Sequence, residues 1–221
     1  MRNQFLVLFA CLLSMSVIGQ KKELKVAEKL LKKGQFTEAL TQLATVESLL
    51  EVADVKTKAK YFYVRVKALH ANGAVPENDE KTAEAIQDLL AYEVEINKGK
   101  YSKEAQKTAA VIVQRSVQEG SDSYNDKKFA LASKRFELAY NLSQRDTSFL
   151  ENAALSSYFA KEYDRSIKLY KQLLDMGYTG ITTRYKATSF VNGEEVYFST
   201  KKDMDTQVAF KTAENPQVIV T

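Results

Sequence analysis

Four positions, Phe129, Ala132, Phe136 and Ala139, recur 34 residues later as Tyr163, Ser166, Tyr170 and Leu173. The same offsets appear earlier at Phe36, Ala39, Leu43 and Val46. Steps of three and four residues put each set on one face of a helix. A weaker copy, Thr82, Ala85, Leu89 and Tyr92, begins 46 residues after Phe36 and 47 before Phe129. The small residue in each set is the constraint. Two antiparallel helices approach closely only where one side chain is small, and bulky residues a turn away then fill the groove. Ala39, Ala85, Ala132 and Ser166 are therefore the candidate packing residues of second helices. One such pair cannot bury its apolar face alone, whereas three or four stacked pairs form a continuous core.

Helical periodicity extends from Lys21 to about Met176. Leu24, Ala27, Leu30 and Leu31 share a face, Gly34 breaks the helix, and Phe36-Thr37-Glu38-Ala39 starts the next. With these residues in view the chain resembles the tetratricopeptide repeat (TPR) family, whose 34-residue unit carries an A-x3-F step in its second helix. The resemblance covers residues 20–180 and implies that Gly120 holds the family's small position in a first helix, with Ala27 and Ala154 as its counterparts. It implies an all-α, TPR-like α-solenoid of about four helix pairs. The chain departs from the family pattern in having no tryptophan, no proline closing a unit, and a longer second unit.

Residues 1–19 read as a secretory signal peptide. Arg2 is their only charge, Phe5–Ile18 is apolar apart from two serines, and Val17 and Gly19 stand at the −3 and −1 positions of a cut before Gln20. The apolar run falls short of the roughly 20 residues a membrane span needs. The expected location is outside the cytoplasm, in the periplasm or envelope of a bacterium. Cys11, the single cysteine, would leave with the leader, and the run past it to Ile18 argues against lipidation there.

After residue 180 the period changes from helical to alternating. Arg184–Val191 and Glu195–Phe198 flank Asn192-Gly193, the pair favoured by a two-residue type I′ turn. That turn puts Tyr185, Ala187, Val191, Val196 and Phe198 on one face, expected to pack against the last helices. Thr200 and Asp203 predict a capping box opening a short helix through about Lys211. Residues 181–221 are thus expected to form a β-hairpin and short helix, similar to a segment that separates repeat blocks in exported bacterial TPR proteins. The chain stops at Val218-Ile219-Val220-Thr221, which fits a short member or a truncated one.

Composition narrows the function. The chain is 45% hydrophobic with only 8 Gly and 2 Pro in 221 residues, which excludes general disorder and an all-β sandwich. His70 is the only imidazole, too little for a zinc site of three or four ligands. No phosphate loop and no nucleophile elbow are present, so no enzyme activity, cofactor, metal or small-molecule substrate is expected. Lys56, Lys58, Lys60, Arg65 and Lys67 form the most basic stretch, but 32 Lys+Arg against 28 Asp+Glu and the spread over several helix faces argue against nucleic acid.

The resemblance implies a concave groove lined by first helices, at Leu24, Glu28 and Leu31, then Lys60, Tyr63, Lys67 and His70, then Gln114, Val117 and Tyr124, then Glu151, Leu155 and Tyr158. Of these, Tyr63, Lys67, His70, Tyr124 and Tyr158 are the candidate partner-binding residues, since aromatic residues with a few charges suit binding hot spots. Packing of Tyr124 and Tyr158 between helices is the competing reading. Leu24 and Glu28 stand where a carboxylate-clamping TPR carries Lys and Asn, so a C-terminal carboxylate is not the expected ligand. The expected function is a scaffold that binds a protein or peptide, with membrane association compatible but not required. The alternative is an envelope assembly subunit acting through self-stacking or through its apolar C-terminal end.

Overall fold

A computed structural model describes residues 20–73, 75–143, 146–181, 183–198 and 200–220. The proposed leader and Cys11 lie outside the described residues. The protein is mostly helical, with a small antiparallel sheet near its C-terminus. It divides into two compact units, one ending at Tyr170 and one starting at Lys171.

The helices of the first unit are α1 (residues 20–32), α2 (Phe36–Glu47), α3 (Val55–Ala71), α4 (Pro76–Glu95), α5 (Ser102–Asn125), α6 (Phe129–Ser143), α7 (Thr147–Phe159) and α8 (Tyr163–Asp175), the last continuing into the second unit. Each helix from α2 to α6 packs on the next, and α3 also reaches α5 as α4 reaches α6. The small positions sit where close approach requires them. Ala27, Ala39, Ala85, Ala132 and Ala154 are fully buried. Ser166 is buried too, and its hydroxyl donates to the Ala154 carbonyl at 2.9 Å. Gly120 lies under the Phe136 ring, so closely that a Cβ there would stand 3.0 Å from Cδ1 and Cε1.

Four turns of the first unit repeat the same backbone solution. Gly34, Asn97, Lys127 and Lys161 all take a left-handed conformation, at φ +74°, +50°, +61° and +62°. In each, the next residue's N–H donates five residues back: Gln35 to Leu30, Lys98 to Glu93, Lys128 to Ser123 and Glu162 to Ser157, at 2.8–3.0 Å. This closure satisfies carbonyls that the helix end leaves unpaired. Only the first turn uses glycine, and a left-handed non-glycine residue costs about 1–2 kcal/mol.

Two carboxylates fasten helix starts. The Asp54 carboxylate caps α3, accepting from the Thr57 N–H and hydroxyl, both at 3.0 Å, with Lys21 Nζ 3.0 Å away. The Lys21 contact first, and the Thr57 N–H next, lower its pKa from 3.8 to about 2. A depressed acid contributes stability above its unfolded pKa and loses it as pH falls through the folded one. Asp54→Asn should therefore remove part of the acid sensitivity between pH 3.8 and about 2. The exposed carboxylate keeps the effect below about 1 kcal/mol. Urea midpoints of both proteins across that range check it; parallel curves contradict it. Asp79, buried in the first turn of α4, takes a two-pronged contact from Arg115 of α5, which raises the pKa of that guanidinium.

The second unit contains β1 (Thr183–Ser189), β2 (Glu195–Phe198), α9 (Lys201–Ala209) and β3 (Ala213–Val220). Strand order is β2-β1-β3, antiparallel throughout. The appendage is thus a three-stranded sheet with a helix rather than a hairpin with a helix. The apolar end Val218-Ile219-Val220 is the third strand, with Val218 opposite Tyr185 and Val220 opposite Thr183.

The hairpin also departs from the expected register. A two-residue turn would set Ala187 opposite Phe198; instead Tyr185 is opposite Phe198 and Ala187 opposite Val196. Phe190–Gly193 form a longer loop, closed by Gly193 N–H to Ser189 O at 2.9 Å and Ser189 N–H to Glu194 O at 2.8 Å. Only Gly193 takes positive φ, whereas a type I′ turn needs it at Asn192 as well. A slip of two residues leaves every side chain on its original face, so the alternation persists while the register moves. Val191 falls in the loop and is exposed. The cover for the apolar face comes from α9: Met204 is buried with Ala187 and Ala213, flanked by Tyr185, Phe198 and Val208. Asp203 N–H donates to Thr200 Oγ1 at 3.1 Å, which is the expected cap of α9.

Candidate functional site

Helix length varies within the first unit. α5 has 24 residues and α7 has 13, so at 1.5 Å per residue α5 is about 16 Å longer. A cleft of about 800 Å3 lies along α5. Its floor is Ala109, Ala110, Val113 and Val117, walled by Leu90 of α4, Leu142 of α6 and Phe149 of α7. The polar lining is Gln106, Gln114, Gln118 and Ser143. None of the described lining residues is ionisable. Primary amides both donate and accept, so such a cleft matches an apolar segment whose backbone needs hydrogen bonds rather than a charged ligand.

Gln114 and Val117 are the two expected groove positions that this cleft brings together. Ala109, Ala110, Val113, Gln106 and Gln118 were not anticipated from the sequence. Gln106, Ala110 and Val113 carry a signal, one position beyond Ala105, Ala109 and Ile112 of the buried stripe of α5.

A second, smaller cleft of about 280 Å3 lies between α1 and α3, lined by Glu28, Leu31, Lys32, Phe36, Tyr63, Val64, Lys67 and Ala71. Tyr63 stacks on Tyr101 at 4.4 Å with rings 12° apart, and Lys67 Nζ stands 5.5 Å from the Tyr63 centroid. One face of the Tyr63 ring is therefore occupied by Tyr101. His70 is half-buried and lines neither cleft. Leu24, placed by the resemblance on the groove, is instead core, buried with Ala27, Ala39 and Leu43.

No protein-family model, curated protein or solved structure matches this chain.

Tyr124 and Tyr158 line neither cleft; they belong to an aromatic chain at the helix turns. Tyr124 meets Phe129 at 5.3 Å and Phe159 at 6.0 Å, and Tyr158 meets Phe159 at 5.7 Å and Tyr163 at 5.8 Å. Tyr124 is half-buried among these rings, while Tyr158 remains exposed. Glu151 and Leu155 of α7 are half-buried. Two cations of the basic stretch are paired: Lys60 with Glu28 at 2.7 Å and Arg65 with Asp88 at 2.9 Å. Among the described residues no group of three His, Cys, Asp or Glu could hold a metal ion, and no helix is long and apolar enough to cross a membrane.

Proposed function

We propose that the chain is an exported, non-enzymatic, TPR-like scaffold that binds a protein or peptide segment. The observation carrying this reading is the cleft along α5, apolar on its floor and rimmed by neutral amides. The solenoid reading draws support from the left-handed turns at Lys127 and Lys161, which stand one 34-residue period apart, and from the small residues buried at the same offsets. The skipped contacts, α3 with α5 and α4 with α6, are those of a stack. The signal-like sequence of residues 1–19 supports export.

The bound segment is apolar and uncharged where it enters the cleft, since an unpaired charge there would be desolvated without a partner. Panning a random peptide library against the protein is expected to enrich neutral, apolar sequences. Their affinity should fall at least about tenfold on Val113→Glu or Val117→Glu, which place a carboxylate on the floor. Recovery of acidic or basic sequences, or binding indifferent to both substitutions, contradicts the proposal.

A further inference from the structure

A third cleft, of about 420 Å3, lies between the end of α2 and the helices α3 and α4, and every residue lining it belongs to the first unit. Tyr61 and Phe62 of α3 and Tyr92 of α4 supply its aromatic lining. The Tyr61 and Phe62 rings meet edge to face at 5.5 Å, and the Tyr92 ring is tilted 45° from Phe62 at 5.3 Å. Rings inclined to one another in this way can present more than one π face to a single ligand, as parallel stacked rings cannot.

The charged lining is acidic. Glu47 of α2 and Asp88 and Glu95 of α4 stand against one cation, Arg65 of α3. Arg65 is taken by Asp88 at 2.9 Å, and neither Glu47 nor Glu95 forms an ion pair among the described residues. The next charges along these elements, Glu51, Lys58, Glu84 and Lys98, cancel, so the excess of carboxylate stands. Both tyrosines feel it. Burial first, and Glu47 next, push the Tyr61 phenol up to about 12, and burial followed by Glu95 raises that of Tyr92.

We infer that this cleft binds an organic cation, an ammonium or guanidinium group carried on an alkyl stem. Asp88 and Glu95 are seven residues apart on α4, about 10 Å along its axis, and among the described residues no three acids could hold a metal ion. Carboxylates spread in this way around aromatic rings suit an elongated ligand instead. Its charge meets an acid, its stem lies on the rings, and the π faces attract the charge as well. An anion would be repelled by Glu47 and Glu95, and a neutral apolar group would cover them without giving them a partner. The cleft shares no residue with the one along α5, so the inference does not depend on the function proposed there.

Titration with three cations, followed by NMR, tests it. Nα-acetyl-lysine amide and Nα-acetyl-arginine amide stand for side chains of a protein, and spermidine for a free polyamine. At least one is expected to saturate with a dissociation constant below about 5 mM, and whichever binds more tightly assigns the source of the cation. Nα-acetyl-norleucine amide, which keeps the stem without the charge, should bind at least about tenfold more weakly. Glu95→Gln and Tyr92→Leu should each weaken the cation at least about threefold. Glu95 is exposed, so its substitution should leave helicity unchanged, and Val117→Glu on the other cleft should bind as wild type. Saturation by none of the three cations, equal binding of the norleucine amide, or binding indifferent to both substitutions overturns the inference.

Discussion

Replacing Glu93 by alanine is expected to destabilise the protein by about 3 kcal/mol. Glu93 lies near the end of α4, is fully buried, and caps a different helix, α5. Its carboxylate accepts from the Tyr101 N–H at 2.9 and 3.1 Å, the Ser102 N–H at 2.8 Å and the Ser102 hydroxyl at 2.6 Å. Its own carbonyl accepts from the Lys98 N–H at 2.8 Å, so one residue closes both ends of the α4–α5 connection. Tyr101 supplies no side-chain cap, which leaves the first N–H groups of α5 dependent on Glu93. Alanine would strand two backbone donors and a hydroxyl. Each unmade bond costs about 1–3 kcal/mol, partly recovered by entering water. Glu93→Gln keeps the shape and loses the charge that the helix N-terminus favours, so it should cost less, about 1–2 kcal/mol. Urea unfolding measures both, and amide hydrogen exchange should accelerate first at Tyr101 and Ser102. An unchanged midpoint for Glu93→Ala would remove this role.

Gly120→Leu is expected to cost about 2–3 kcal/mol through overpacking against Phe136. The contrast with Gly120→Ala isolates the cause. In the interior of α5, alanine gains about 1 kcal/mol of helix propensity over glycine. Against that, its Cβ meets the Phe136 ring at 3.0–3.1 Å, and the ring must shift by a few tenths of an ångström. The two effects nearly cancel, so Gly120→Ala should lie within about 1 kcal/mol of wild type. Shortening the ring partner tests the contact itself. In a Phe136→Leu background the penalty of Gly120→Leu should shrink, giving a coupling of at least about 1 kcal/mol in a double-mutant cycle. Additive substitutions would mean that Gly120 and Phe136 do not press on one another.

Much of the first unit was legible because its constraint is periodic and local. Ala39, Ala85, Ala132 and Ser166 are buried where steps of three and four place them, and Gly120 meets the aromatic ring expected one turn from a small residue. The cleft was only partly legible. Gln114 and Val117 line it, but Tyr124 and Tyr158 turn into a chain of rings beside the turns. At those positions an aromatic side chain satisfies burial and recognition equally well. Glu93 was not anticipated: an acid near the end of one helix reads as a solvated charge until the fold carries the start of another helix to it.

The C-terminal unit separates the two levels most clearly. Alternation alone put Tyr185, Ala187, Val196 and Phe198 on one face, because side chains in a strand alternate whatever the strand pairs with. Pairing itself depended on residues distant in the chain. β3 joins the far edge of β1, Phe190 N–H donates to the Thr212 carbonyl at 3.0 Å, and the apolar tail becomes a strand. Which face is apolar follows from the order of side chains along the chain. Which surface covers that face, and which register it adopts, depends on backbone groups that meet only after folding, so only the tertiary structure decides it.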